Sequence, residues 1–88
     1  MQQVILQTFQ TLQTLQTLQT MNFELIDHEY IQLNQLLKLL GLVETGGEAN
    51  QRITDGEVIV NKEVEYQKRK KLRKGDVVVF MNKSIIIK

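Results

Sequence analysis

The spacing of apolar residues changes along this chain, and this change constrains the fold more than any other feature. Leucines recur at positions i, i+3, i+4 and i+7 within residues 33–40, which indicates one apolar face on a helix. From residue 57 onward, short stretches alternate apolar and polar residues, which is typical of strands. Helices followed by several strands predict an α+β fold with a small, mostly antiparallel sheet.

Two helices are predicted. The apolar face of the first comprises Leu33, Leu36, Leu37 and Leu40. Gly41 is a suitable residue to end it. The second helix runs from Gly46 to Thr54, because Thr45 and Glu48 have the spacing of a capping box, with threonine at the N-cap and glutamate at N3. Its buried residues are expected to be Ala49 and Ile53.

Strands and turns account for most of the remaining residues. Alternation predicts strands around residues 23–25, 58–60 and 64–66, and the continuous apolar run 77–81 predicts a buried strand. A turn is expected at Asn61-Lys62. A second tight turn, at Asn82-Lys83, would lead into a last strand at 84–87.

Residues 6–21 form a repeat in which every third residue is apolar and Gln-Thr fills the gaps. A step of three residues advances about 300° around a helix, so these apolar residues spread around its whole circumference. The pattern therefore encodes no amphipathic helix. We interpret residues 1–21 as a disordered tail and residues 22–88 as the folded domain. The alternative is a helix that mediates oligomerisation or binds a partner.

Charge is distributed unevenly, although the formal net charge is only +1. Residues 1–20 carry no charged side chain, and residues 21–49 hold five acidic residues against Lys38. Residues 50–88 hold ten Lys or Arg against five acidic residues. The C-terminal half is therefore the part that a polyanion would approach.

Few residues are suited to catalysis. The chain has no cysteine, which excludes disulfides and thiolate chemistry and fits a cytoplasmic protein. His28, the only histidine, lies between Asp27 and Glu29, and a solvated surface residue is a better explanation than a metal ligand. Ser84, the only serine, has no histidine near it in sequence. We expect no catalysis, no cofactor and no bound metal.

The strongest functional signal is the stretch from Lys68 to Lys74, in which Leu72 alone interrupts six cations. Dense cations repel one another on a folded surface, and phosphates would relieve that repulsion. Leu72 is expected to anchor the stretch in the core. This pattern favours nucleic-acid binding over a solvated loop.

The start of the second helix is another candidate. Free N–H groups and a partial positive charge favour phosphate there, and Gly46 and Gly47 would let it approach the backbone closely. Glu48 opposes this unless its carboxylate folds back on the cap. A plain helix start explains the glycines equally well. Arg52, on the polar side of the helix, is expected to add a mobile cation.

Three motifs carry a resemblance to a known family. They are Gly46-Gly47-Glu48-Ala49, the run Gly56-x-Val58-x-Val60-Asn61, and Gly75-Asp76-Val77. With the helical stretch 31–45 and with Leu72, they resemble the RNA-binding domain named after ribosomal protein S-four, in particular its short stand-alone bacterial members. The resemblance implies a helix pair packed on a small sheet. It also implies binding of structured RNA, often ribosomal RNA, by the second helix and the following basic loop.

The resemblance also implies which residues contact RNA. By position, these are Thr45, Gly46, Gly47, Gln51 and Arg52 in the helix, and Lys62, Lys68, Arg69, Lys70 and Lys71 in the loop. Three positions depart from the family pattern: Asn50 stands where lysine is common, Lys62 replaces a usual glycine, and Lys74 replaces a common proline. The first departure removes an expected phosphate contact.

The sequence therefore predicts non-catalytic binding of structured RNA by shape and charge. Aromatic residues are few, and only Tyr66 lies beside the basic stretch, so it is the expected stacking residue. Two alternatives remain open: a protein-interaction adaptor that docks an acidic partner, and a DNA-binding accessory protein.

Overall fold

The computed structural model describes residues 19–88, which form seven strands and two helices. In chain order these are β1 (Gln19–Phe23), β2 (Ile31–Gln32), α1 (Leu33–Leu39), α2 (Gly46–Thr54), β3 (Ile59–Val60), β4 (Glu63–Val64), β5 (Lys71–Leu72), β6 (Val77–Phe80) and β7 (Lys83–Ile87). The predicted α+β fold with a helix pair is confirmed. Within residues 19–88, no helix is both long and apolar enough to cross a membrane.

The helix pair follows the sequence pattern closely. Three leucines of the predicted apolar face, Leu33, Leu36 and Leu37, are fully buried, and Leu40 is partly buried just beyond α1. The helix ends before Gly41, whose φ of +72° suits glycine. The second helix has the predicted bounds and buries Ala49 and Ile53 completely.

A five-stranded sheet has the order β1-β7-β6-β3-β4, in which β1 runs parallel to β7 and the other neighbours are antiparallel. A separate two-stranded sheet pairs β2 with β5, and in it Ile31 lies opposite Leu72. Leu72 and Phe80 are both buried in the single core that also contains the leucines of α1. The short β2–β5 sheet thus fastens the basic stretch to the start of α1.

Two turns between strands were predicted, and the structure contains one of them at the predicted residues. Asn61 and Lys62 both have positive φ, 50° and 74°, as the predicted hairpin turn requires. The second predicted turn is wrong by one residue, because Met81 and Asn82 have positive φ and Lys83 pairs with Phe80. Moving a two-residue turn by one position changes the register by two residues, so the same side chains stay on the buried face. The alternation of the sequence therefore does not distinguish the two turn positions.

The strand β6 alternates, although the run 77–81 was expected to be buried throughout. Val78 and Phe80 are buried, whereas Val77 and Val79 are only partly buried and Met81 is exposed. The reason is that only one face of this part of the sheet packs into the core, so its other face meets solvent.

The first strand begins earlier than the predicted domain boundary at residue 22. Its backbone pairs with β7 from Gln19 to Phe23, and Met21 and Phe23 pack against the core. Leu25, expected in this strand, lies beyond its end but is buried, and its N–H donates to the Lys88 carbonyl. The interpretation of residues 1–18 as a tail lies outside the described residues.

Candidate nucleic-acid interface

The basic segment, residues 68–74, combines a turn with the strand β5. Lys68 and Arg69 form the turn, and Lys71 and Leu72 form the strand. Leu72 is fully buried, as predicted, whereas every cation of the segment is exposed except Lys70, which is partly buried. One apolar side chain therefore anchors a strip of cations on the surface.

Backbone hydrogen bonds fix this segment against α1. The Lys70 carbonyl accepts from the Leu33 N–H at 2.9 Å, and the Lys68 carbonyl accepts from the Asn34 N–H at 3.0 Å. The first N–H groups of a helix have no partner within the helix, and the N-cap Gln32 supplies no side-chain cap here. The turn of the basic segment therefore caps α1 with its carbonyls, and its side chains remain free to bind a ligand.

The cations of the basic segment have no acidic partners in the described part of the chain. The ion pairs among residues 19–88 all involve Arg52. No side-chain ion pair within residues 19–88 neutralises these cations, which leaves a locally positive surface beside the start of α1.

The start of α2 has the predicted cap. The Thr45 hydroxyl accepts from the Glu48 N–H at 3.0 Å. The Glu48 carboxylate folds back, but it accepts from the Glu44 N–H at 2.9 Å and not from that of the capping residue. A Cβ atom at Gly46 would meet nothing within 4 Å, and one at Gly47 would lie 3.8 Å from the Thr45 hydroxyl. Packing therefore requires neither glycine.

Arg52 is not the mobile cation that the sequence predicted. Its guanidinium donates to the Glu57 carboxylate at 2.8 Å and lies 3.6 Å from the Glu48 carboxylate. The hydrogen bond and the charge of Glu57, followed by those of Glu48, raise the pKa of Arg52. The prediction failed because sequence spacing did not reveal Glu57, which lies beyond the end of the helix.

Arg52 also lies away from the basic segment. Asn50 marks the side of α2 that faces α1, because the Asn34 amide donates to the Asn50 side-chain oxygen at 3.2 Å. A separation of two residues places Arg52 roughly 200° further around the helix. Gln51, between them, donates to the Asp55 carboxylate at 2.9 Å. Both polar residues predicted from α2 are therefore engaged within the protein.

Asn34 connects the three parts of this surface. Its N–H binds the Lys68 carbonyl and its side chain binds Asn50, so it joins the basic segment, α1 and α2. Its side-chain oxygen is buried and has no hydrogen-bond partner among the described residues. Sequence reasoning missed Asn34, because nothing in the local pattern separates it from an ordinary polar residue of the helix.

Lys62 lies at the other end of the basic segment. The neighbouring Asn61 amide donates to the Asp76 carboxylate at 3.1 Å, and the same carboxylate accepts from the Arg73 N–H at 2.8 Å. The turn that carries Lys62 is thereby tied to residues 73–76 and not to the turn at Lys68. The predicted loop residues thus lie at both ends of the basic segment: Lys68 and Arg69 at one end, and Lys62 beside residues 73–76 at the other.

Tyr30 is an aromatic residue that sequence reasoning missed. The Lys71 ammonium lies 5.0 Å from its ring centroid, and the Arg73 guanidinium carbon lies 5.8 Å from it. Extending the β2–β5 register by one pair beyond Ile31 and Leu72 brings Tyr30 opposite Arg73, which accounts for this contact. The ring of Tyr66, the residue expected to stack, lies instead over Gly56, 3.3 Å from where a Cβ there would be.

The fold and these motifs define a family. Residues 23–88 match the S4 domain, and the chain belongs to that family. The sequence-based assignment is thereby confirmed.

Two relatives and one solved structure show the closeness of the match. A Bacillus subtilis (strain 168) protein named "Probable ribosome maturation protein RlbA" is 43% identical over 53 residues, which are 60% of this chain and 75% of the relative. The Escherichia coli (strain K12) "Putative RNA-binding protein YbcJ" is 40% identical over 63 residues, 72% of this chain and 90% of the relative. The solution structure of YbcJ superposes with a TM-score of 0.58 at 38% identity, covering 75% of this chain and 84% of that one. It is described as revealing an ALFAL motif involved in RNA binding.

Proposed function

We propose that this chain binds structured RNA, with ribosomal RNA as its target, and that it does so in the cytoplasm without catalysing a reaction. The observation that carries this proposal is the basic segment. All of its cations except Lys70 are exposed, and none forms an ion pair within residues 19–88. They project from a backbone that α1 already holds in place. Phosphates are the ligands that such a strip attracts most strongly.

The rigid backbone of the segment favours binding. An ordered loop loses less conformational entropy on association than a flexible one. The two carbonyl bonds to α1 and the burial of Leu72 keep the backbone of the segment in one arrangement. Rows of phosphates along an A-form groove are recognised by shape and charge, and a fixed strip suits that form of recognition.

The start of α2 is the second part of the proposed surface. Two consecutive glycines lower helix stability, yet neither is needed for packing or for a positive φ. Their absence of side chains leaves the first backbone N–H groups of α2 accessible to a phosphate. Thr45 holds this end of the helix in place.

Gln51, Arg52 and Lys62 are secondary members of this surface. Gln51 and Arg52 must first leave their carboxylate partners before they bind a phosphate. Lys62 is exposed and extends the strip beyond Arg73. We therefore assign most of the affinity to Lys68, Arg69, Lys70 and Lys71.

The relatives support the class of ligand. The E. coli protein is named for RNA binding and the B. subtilis protein for ribosome maturation. Residues 23–88, which match the S4 domain, contain the proposed surface. The names of the two relatives favour RNA over DNA or an acidic protein.

Crosslinking in cells, followed by sequencing of the bound RNA, tests the proposal. We expect ribosomal RNA to be enriched over its share of total RNA. K68Q/R69Q should reduce the recovered RNA, and the control K83Q/K88Q, which removes the same charge from β7 and the C-terminus, should not. Ribosomal RNA recovered only in proportion to its abundance would refute the target. A captured partner that survives nuclease treatment would favour the protein-adaptor alternative.

A further inference from the structure

Tyr30 lies between two features that a single nucleotide would use together. On one side are the Lys71 and Arg73 cations, at 5.0 and 5.8 Å from the ring centroid. Tyr30 also lines an open groove of about 630 Å³ between residues 23–31 and α1, a volume typical of small-ligand sites. Tyr30 is 37% exposed, so the residue is accessible from solvent.

We propose that Tyr30, Lys71 and Arg73 form a subsite for one unpaired RNA base, which we call the Tyr30 subsite. The base stacks on the tyrosine ring, and the adjoining phosphate binds the two cations. This inference rests on the proposed RNA binding and adds to it a preference for RNA with a base outside the helix stack.

The strand geometry makes this arrangement possible. Side chains alternate along an extended chain, so Lys71 and Arg73 point to the same side while Leu72 between them enters the core. Tyr30 directly precedes β2, and its ring lies on that side, beside both cations. The three residues are therefore held in place by a buried leucine and a short sheet.

Charge and chemistry favour a nucleotide over other ligands. Among the groove-lining residues Lys38 is a cation and Glu24 the single carboxylate, and within residues 19–88 neither Lys71 nor Arg73 takes part in an ion pair. Aromatic rings stack on any base. In an A-form duplex the paired bases are covered by their neighbours, so only an unpaired base can reach the ring.

Two synthetic RNAs separate this subsite from the general surface: a blunt duplex with one bulged adenosine, and the same duplex without the bulge. Tyr30→Leu keeps an apolar side chain but removes the ring, and Tyr30→Phe keeps the ring. Loss of one stacked base corresponds to ~1 to 3 kcal/mol. We therefore expect Tyr30→Leu to bind the bulged duplex about 5- to 150-fold more weakly, at 1.4 kcal/mol per tenfold. The paired duplex should be bound as before, and Tyr30→Phe should match the wild type on both.

A fluorescent reporter gives an independent readout, because the chain contains no tryptophan. Tyr30→Trp should retain affinity, and its fluorescence should be quenched by the bulged duplex much more than by the paired one. Tyr66→Trp is the matched control, since Tyr66 is an exposed tyrosine that lies over Gly56 and away from the subsite. It should show no difference between the two RNAs. This measurement tests whether a base binds at the Tyr30 subsite even if Tyr30→Leu fails to fold.

The two proposals fail in different ways. If the wild type binds both duplexes but Tyr30→Leu is unaffected and Tyr30→Trp responds equally to both RNAs, the subsite is refuted and RNA binding stands. If the wild type binds neither duplex at low salt, the proposed function is refuted and the subsite with it.

Discussion

Replacing Lys68 and Arg69 with glutamine should reduce the salt dependence of RNA binding. These two residues form the exposed turn of the basic segment, whereas Lys70 is partly buried and Lys71 lies beside Tyr30. We expect about three phosphate contacts from the whole segment. At roughly 0.9 per neutralised phosphate, log affinity should fall with log salt at a slope of about −2 to −4.

The double variant K68Q/R69Q should flatten that slope by about 1 to 2 units, because it removes up to two of these contacts. Affinity should fall to a similar extent for different RNA sequences, since phosphate contacts carry no base information. Stability should change by less than about 0.5 kcal/mol. The reason is that the bonds to α1 use the backbone carbonyls of the segment and not its side chains.

Filter binding at several salt concentrations measures the slope, and circular dichroism checks the fold. The control K83Q/K88Q removes two cations from outside the segment and should leave the slope within about half a unit of the wild type. If the two double variants flatten the slope equally, only the net charge of the protein matters. If a folded K68Q/R69Q keeps the wild-type slope, the turn of the basic segment is not part of the RNA-binding surface.

Three further substitutions test the residues that hold the start of α2 and the basic segment in place. Thr45→Ala removes the hydroxyl that accepts from the Glu48 N–H, and thermal unfolding should show a loss of ~1 kcal/mol. Gly47→Leu should leave stability unchanged or slightly raised, because a Cβ there fits. The same change should weaken RNA binding by roughly 10- to 100-fold if a phosphate accepts from the helix start; unaltered affinity would restrict the glycine to a backbone role. Leu72→Ala should cost ~2 to 5 kcal/mol, since the side chain is fully buried, and a smaller loss in urea unfolding would show that Leu72 is not the anchor.

Several elements were predictable because their causes are local. Both helices are determined by apolar spacing and by residues at their ends, so α2 begins and ends where the sequence indicated. The Asn61-Lys62 turn likewise depends on two adjacent residues. The position of the second turn depends instead on how β6 and β7 pair along their length, and the prediction was wrong by one residue.

In the candidate site, too, features with local causes were predictable and features that depend on distant residues were not. The density of cations and the anchoring role of Leu72 were visible in the sequence, since they concern neighbours along the chain. The ion pairing of Arg52 and the contact between Tyr30 and Lys71 were not. Arg52 pairs with a residue beyond the end of its helix, and Tyr30 and Lys71 are far apart in sequence. Local sequence patterns do not show that such residues are in contact.

The sequence by itself thus determined the family, the helix pair and the basic segment, because periodicity, capping and charge density act over a few residues. The tertiary structure alone decided how these parts are joined. Burial of Leu72 opposite Ile31 fixes the β2–β5 register. That register brings Tyr30 beside two cations. It also brings the carbonyls of the basic segment to the start of α1. A core assembled from distant segments selects such contacts, since only the complete fold determines which side chains can be buried together.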